Sequence, residues 1–220
     1  MKKTPEFAVI FDMDGVIIDN MDYHDRAYFE LARRYNKKLT HTGLEKNVHG
    51  RTNMEANRFL FGDVSDERSK EITKEKQEIY LDIYKTNVRL LDGLATFLQE
   101  CHDGHIPVGL ATSATPNMAE FVFRETGIGK FFDATVTAHD ISNSKPDPEI
   151  YLEAAKQLRM QPASCLVFED SFSGIEAGKA AGMKVVGVAT THPEDKIQNV
   201  DHVITDFMEM TLKKARELME

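Results

Sequence analysis

Only two of the 220 residues are cysteines, and positive charge is in short supply: 27 lysines and arginines stand against 36 aspartates and glutamates, a formal net charge of −9. Cys101 and Cys165 show no CxxC or Cys/His ligand spacing, which argues against a zinc site or disulfide framework and for reduced cysteines packed in a core. The acidic balance argues against nucleic acid or an anionic membrane as the main partner, because both require a basic footprint, and leaves room only for a local cationic site. No apolar run approaches the roughly 18 residues of a membrane span. Met1-Lys2-Lys3-Thr4 leads into a short apolar run and an acidic loop rather than a signal-peptide core. Internal repeats, low-complexity tracts and long flexible linkers are absent as well. The expectation is a cytoplasmic monomer with neither a nucleic-acid nor a membrane partner.

With 41% hydrophobic residues the chain can bury a sizeable core. Segments 7–11, 107–112, 134–138, 165–169, 184–189 and 202–205 read as short buried strands, and after the first of them helical patterns intervene. Short apolar runs alternating with amphipathic helices predict an α/β fold, a doubly wound, Rossmann-like parallel sheet covered on both faces. The stretch 21–87 differs, reading as helical throughout: Tyr28, Leu31, Ala32 and Tyr35 share one face, as do Ile72, Lys76, Ile79 and Ile83. Residues 1–20 and 88–220 are therefore expected to form the α/β core, with 21–87 an inserted all-α cap domain.

In open α/β sheets ligands bind beyond the carboxyl ends of the strands, so the residues that follow each strand carry the functional reading. The first strand empties into Asp12-Met13-Asp14-Gly15. Alternation along extended backbone points Asp12 and Asp14 the same way, and two such close charges resist joint ionisation unless a cation or shared proton compensates. Oxygen ligands of this kind suit Mg²⁺. An acidic turn is the plain alternative; an EF-hand loop fits poorly, since Val16 and Tyr23 occupy positions that need acidic or amide side chains. The second strand ends in Thr112-Ser113-Ala114-Thr115-Pro116-Asn117, whose hydroxyls and amides at a helix start make an anion cradle. The third leads to Ser144-Lys145-Pro146-Asp147-Pro148, and the fourth ends in Glu169-Asp170-Ser171 before Gly174 and a small-residue helix. Carboxylates, a hydroxyl and amide nest and one lysine together fit metal-assisted phosphoryl transfer.

With these four segments in order, the chain resembles the haloacid dehalogenase superfamily over essentially its whole length, and within it the phosphatases and mutases typified by β-phosphoglucomutase. The resemblance implies that Asp12 is a nucleophile forming an aspartyl-phosphate, that Asp14 is the general acid and base, and that Ser113, the Ala114 amide and the Asn117 segment bind phosphoryl oxygens. It implies Lys145 as the cation screening charge, with Mg²⁺ held by the Asp12 carboxylate, the Asp14 carbonyl and Asp170, and with Glu169 a ligand or a partner behind the ligands. Taken singly, Lys145 also reads as a solvated loop residue and Ser113 as a helix cap.

In the cap, His24 matches the histidine that couples cap closure to the general acid in the mutases, although a histidine at a helix start is also an ordinary packing or solvated residue. His49-Gly50-Arg51-Thr52 resembles the specificity loop, and Lys76 matches a phosphate-contacting lysine or belongs to a charged helix face. The mutase pattern places a lysine just before that glycine and an arginine three residues after it. Here His49 and Asn53 stand in those places. A mutase must grip a second phosphate, whereas a hydrolase needs one phosphate site and water. The expected function is accordingly an Mg²⁺-dependent phosphatase acting on small phosphate esters, sugar phosphates foremost, with a β-phosphoglucomutase-type phosphomutase and an inorganic pyrophosphatase as alternatives.

Overall fold

Six apolar runs form one fully parallel sheet: β1 (Ala8–Phe11), β2 (Val108–Ala111), β3 (Ala134–Val136), β4 (Cys165–Glu169), β5 (Lys184–Val188) and β6 (His202–Ile204), in spatial order β3-β2-β1-β4-β5-β6. The computed structural model describes residues 5–48 and 51–220, and of Glu45 the backbone only. Chain order and spatial order diverge because each parallel pairing needs a crossover. The reversal falls between β1 and its neighbours, which is the switch point where doubly wound sheets bind ligands.

Every residue of β1, β2 and β4 is buried, and alternation sorts their side chains onto two faces. On one face Phe11 stacks on Phe168 with centroids 5.1 Å apart, and Phe97 of α5 (Leu94–Asp103) and Phe207 close the cluster. On the other face Ala8, Ile10, Cys165 and Val167 pack against Ile150, Tyr151 and Ala154 of α7 (Glu149–Gln157) and Ile175 and Ala177 of α8 (Phe172–Ala180). The α6 helix (Pro116–Thr126) follows β2, and α9 (Leu212–Met219) ends the chain. Cys101 and Cys165 are both buried and unpaired. No described helix is long and apolar enough to cross a membrane.

The chain divides into two compact units, Met1–Asp19 with Val88–Glu220, and Asn20–Asn87. The second unit is built from α1 (Met21–Arg34), α2 (His41–Asn47), α3 (Asn53–Phe61) and α4 (Asp66–Tyr84). Its core unites Tyr28, Leu31 and Ala32 of α1 with Ile72, Lys76 and Ile79 of α4. Tyr35 and Ile83 lie at the margin instead of in the buried stripe. Tyr35 is the C-cap of α1 and donates its hydroxyl to Glu75 at 2.7 Å, while Tyr80 and Tyr84 fill the interior that Ile83 leaves. Thr52 and Glu55 form a capping box that starts α3.

In the first unit, Gly93 brings its backbone against that of Phe207. Its φ of +79° is left-handed, and a Cβ there would sit 2.5 Å from the Phe207 carbonyl oxygen, beside the bond that Phe207 N–H donates to Asp92 O. Gly93→Ala combines backbone strain with a backbone clash, and is expected to destabilise the protein by about 2–4 kcal/mol in denaturant unfolding. A cost below about 0.5 kcal/mol would contradict this close approach.

Candidate active site

The register of β1 on β4 builds the site. Phe11 pairs with Phe168, so the next residue on each chain, Asp12 and Glu169, lie side by side where the strands end; the Asp12 N–H donates to Phe168 O at 3.0 Å. Carboxylate oxygens of Asp12, Glu169 and Asp170 all lie within 4.8 Å of one another, and all three residues are buried. Into this cluster reaches Lys145, whose ammonium donates to Asp12 Oδ1 at 2.5 Å and to Glu169 Oε2 at 2.7 Å, with its side chain only 7% exposed. The solvated-loop reading of Lys145 is thereby excluded.

Two of the three buried carboxylates, Asp12 and Glu169, share the Lys145 ammonium, and Asp170 lies beside them without it. Burial pushes the Asp12 carboxyl up to about 7, against the pull of Lys145 and with the push of Glu169 and Asp14. Burial, with Glu169 and Asp12 beside it, raises Asp170 well above the usual carboxylate range. Glu169 moves the other way. Burial works to raise it, but Lys145, the Tyr151 hydroxyl and the Ser171 N–H override that and hold it low. Burial also opposes charge on Lys145, and the two carboxylates outweigh it, keeping the amine firmly protonated.

A divalent cation fits this donor set: hard oxygen donors, a surplus of negative charge and two carboxyls raised by burial and by their acidic neighbours. The three acids are not equivalent, however. Glu169 Oε1 accepts from the N–H groups of Asp170 and Ser171 and from the Ser171 hydroxyl at 2.8–3.1 Å, and Oε2 accepts from Lys145 and Tyr151. A carboxylate offers about four lone-pair sites, so protein donors already saturate Glu169. The Thr191 hydroxyl donates to Asp170, and the Thr190 hydroxyl to the Gly15 carbonyl at 2.5 Å. Gly15 has φ +76°, and a Cβ there would overlap the Asp170 carboxylate. Only glycine lets the Asp14 loop pass this close. Asp14 itself is half-buried and pairs through its backbone with Ile18.

The cradle after β2 differs in detail from the sequence reading. Ser113 is exposed and Thr115, not Ser113, is the N-cap residue of α6, with Pro116 at its first turn. The Ala114 N–H, assigned to phosphate, donates to the Thr112 hydroxyl at 3.0 Å, since a threonine two residues upstream can close an ST-turn on it. Asn117 is exposed in the first turn of α6. In the helical unit, Lys76 Nζ lies 2.6 Å from His24 Nδ1 and over the rings of Tyr28 and Tyr80, while the His24 ring stacks on Tyr80 at 4.2 Å. These contacts take Lys76 out of the charged face formed by its neighbours. Arg51 is exposed, and His49 lies outside the described residues.

Sequence reasoning passed over Thr190, Thr191 and Tyr151. The threonines were findable, because they follow β5 just as Asp12 follows β1. Tyr151 gave no signal, since it lies among the apolar positions Ile150, Ala154 and Ala155 that face the core.

In metal-free protein, Asp12 and Asp170 have folded pKa values above their unfolded ones, so the folded state binds more protons than the unfolded state between about pH 4 and pH 7. Stability contributed there is present at low pH and lost as pH rises through the folded values. With chelator, the thermal midpoint is expected to fall by about 5 °C or more from pH 5 to pH 7.5, and added Mg²⁺ should restore it most at the higher pH. A midpoint that rises over this range in chelator would count against the charge imbalance.

The haloacid dehalogenase-like hydrolase family model matches residues 8–182. A phosphorylated carbohydrates phosphatase of Thermotoga maritima is 34% identical over 187 residues, covering 82% of this chain and 84% of that protein. A β-phosphoglucomutase of Bacillus subtilis is 32% identical over 230 residues, covering 97% and 95%. Among solved structures, a family IA, variant 3 HAD hydrolase of Entamoeba histolytica superposes with a TM-score of 0.91 at 27% identity, covering 97% of this chain and 99% of that one. A match across most of the chain, carried on a parallel sheet whose switch point gathers Asp12, Lys145, Glu169 and Asp170, makes this chain a member of the haloacid dehalogenase-like hydrolase family.

Proposed function

We propose that this chain is an Mg²⁺-dependent phosphatase that acts on small phosphorylated metabolites, sugar phosphates foremost, through an aspartyl-phosphate on Asp12. The observation that carries the reading is the buried Lys145 ammonium set between Asp12 and Glu169. An ionised aspartate is repelled by an anionic phosphate, and a fixed cation touching the attacking carboxylate reduces that repulsion. Names of relatives support the substrate class: the Thermotoga protein is called a phosphorylated carbohydrates phosphatase, and an Escherichia coli relative 30% identical over 188 residues a fructose-1-phosphate phosphatase.

In this reading Asp12 and Asp170, with the Asp14 carbonyl, hold the ion, which supplies charge neutralisation at the phosphoryl oxygens. Lys145 orients the Asp12 carboxylate by holding Oδ1. Asp12 attacks phosphorus and the ester P–O bond breaks. Asp14 gives its proton to the leaving oxygen. Asp14 then takes a proton from water, which attacks the aspartyl-phosphate and frees phosphate and Asp12. Ser113 and Asn117, exposed ahead of and within the first turn of α6, bind the transferred group, together with the Ala114 N–H once it leaves Thr112. His24, His49, Arg51 and Lys76 in the helical unit select the substrate.

A second reading, a phosphomutase, draws on one observation: Lys76 is a buried lysine held between two tyrosine rings beside His24, the kind of fixed cation that a second phosphate requires. The partition of the phosphoryl group separates the two. A panel of phosphate esters and pyrophosphate assayed with Mg²⁺ should release inorganic phosphate from several sugar phosphates. Predominant conversion of β-glucose 1-phosphate to glucose 6-phosphate in the presence of the bisphosphate would establish the mutase instead.

Asp12→Asn is expected to lower turnover at least a hundredfold on every substrate while the circular dichroism spectrum stays that of the wild type. Turnover above about a hundredth of wild type would reject Asp12 as the covalent residue. Lys76→Ala or Arg51→Ala should change the ratio of kcat/KM between substrates more than the rate on acetyl phosphate. Equal losses on all substrates would assign these residues to the chemistry rather than to selection.

A further inference from the structure

Alternation along β1 and β4 puts Ala8, Ile10 and Asp12, and Cys165, Val167 and Glu169, toward the same side of the sheet, the side that α7 covers. One α7 side chain reaches from this core to the catalytic charges. Tyr151 is fully buried; its hydroxyl donates to Glu169 Oε2 at 2.5 Å, and its ring lies under the Lys145 ammonium, 5.0 Å from centroid to Nζ. Glu169 Oε2 is thus shared by two donors, Tyr151 and Lys145, and Lys145 is shared by two acceptors, Glu169 and Asp12.

This geometry sets how the lysine divides itself. A carboxylate oxygen with a single donor holds that donor more strongly than one whose electron density is already drawn by a second, so the tyrosine hydroxyl weakens the grip of Glu169 on Lys145. The ring adds a second restraint, since a cation above an aromatic face is attracted to it without being bound in a hydrogen bond. The remaining Glu169 oxygen is fixed by the Asp170 and Ser171 N–H groups and the Ser171 hydroxyl, and a Cβ at Gly174 would overlap the carboxylate. Glu169 therefore has little freedom to turn. A phenylalanine at 151 would keep the ring and the core packing and would remove only the second donor.

We infer that Tyr151 is a positioning residue for the reaction, acting through Glu169 to keep the Lys145 ammonium directed at Asp12 and the transferred phosphoryl group. It rests on the proposed function of Asp12 and Lys145. The inference also makes Glu169 the lysine's holder, with Asp12 and Asp170 as the carboxylates left to the ion.

The test is Tyr151→Phe, alone and combined with Glu169→Gln, assayed with Mg²⁺ on p-nitrophenyl phosphate and on the best sugar phosphate. Tyr151→Phe is expected to lower kcat about tenfold with KM within about twofold. Its Mg²⁺ dissociation constant by calorimetry should stay within about twofold of wild type, and its thermal midpoint within about 5 °C. Placed on Glu169→Gln, the same change should cost no more than about twofold, because the group through which it acts has lost its charge. An unchanged kcat, an equal loss in both backgrounds, a parallel loss of Mg²⁺ affinity, or a loss that follows a collapsed thermal midpoint would each overturn the inference. Failure of the function reading is seen separately, as wild-type protein without phosphate release or as an active Asp12→Asn variant.

Discussion

Three buried carboxylates crowd together at the carboxyl ends of two adjacent strands with one ammonium bridging two of them, and much of the first unit is arranged around that surplus charge. An isolated carboxylate transferred into a protein interior costs several kcal/mol unless it is paired or hydrogen-bonded. Each acid here answers that cost differently. Glu169 is saturated by five protein donors and is held low; Asp12 is paired with Lys145 and raised to about 7; Asp170, with a threonine hydroxyl as partner, is raised well above the usual carboxylate range. Such a surplus of carboxylates is the environment that a divalent cation compensates.

The scaffold makes the arrangement rigid. The Phe11, Phe97, Phe168 and Phe207 cluster fixes one face of β1 and β4, and α7 with α8 fixes the other. Because Phe11 and Phe168 are register partners and also stack, the packing that stabilises the sheet also fixes the spacing of Asp12 and Glu169 one residue later. Rotamers locked in this way leave little reorganisation to be supplied during a reaction. Tyr151 extends the same logic: it belongs to the α7 core stripe and ends in a hydroxyl at the charged cluster, so helix packing and lysine placement are one interaction.

The helical unit obeys a different economy. Its interior combines tyrosine rings with a buried lysine and a histidine, so polarity lies within its core and not at a strand end. Such a cluster stays folded because cation–π contacts and a short nitrogen to nitrogen contact replace water around Lys76. The two units have separate cores, so side chains of the helical unit can change without disturbing the charged cluster of the first.

By itself the sequence determined the six strands, the helical insertion and the identities at the strand ends, because apolar runs bounded by Asp, Ser, Lys and Gly are local signals that survive folding. Asp12, Lys145, Glu169 and Asp170 were legible as a set for that reason. Tertiary structure alone decided that Lys145 bridges Asp12 and Glu169, since that depends on the β1–β4 register and on loops 133 residues apart in sequence. It also decided that Thr115 and not Ser113 stands at the N-cap position of α6, that the Ala114 N–H turns to Thr112, and that the Tyr151 hydroxyl reaches Glu169. Periodicity records which face a side chain occupies; a single hydroxyl at the end of a buried ring leaves no mark on it, and its partner is chosen only when the sheet and helix pack.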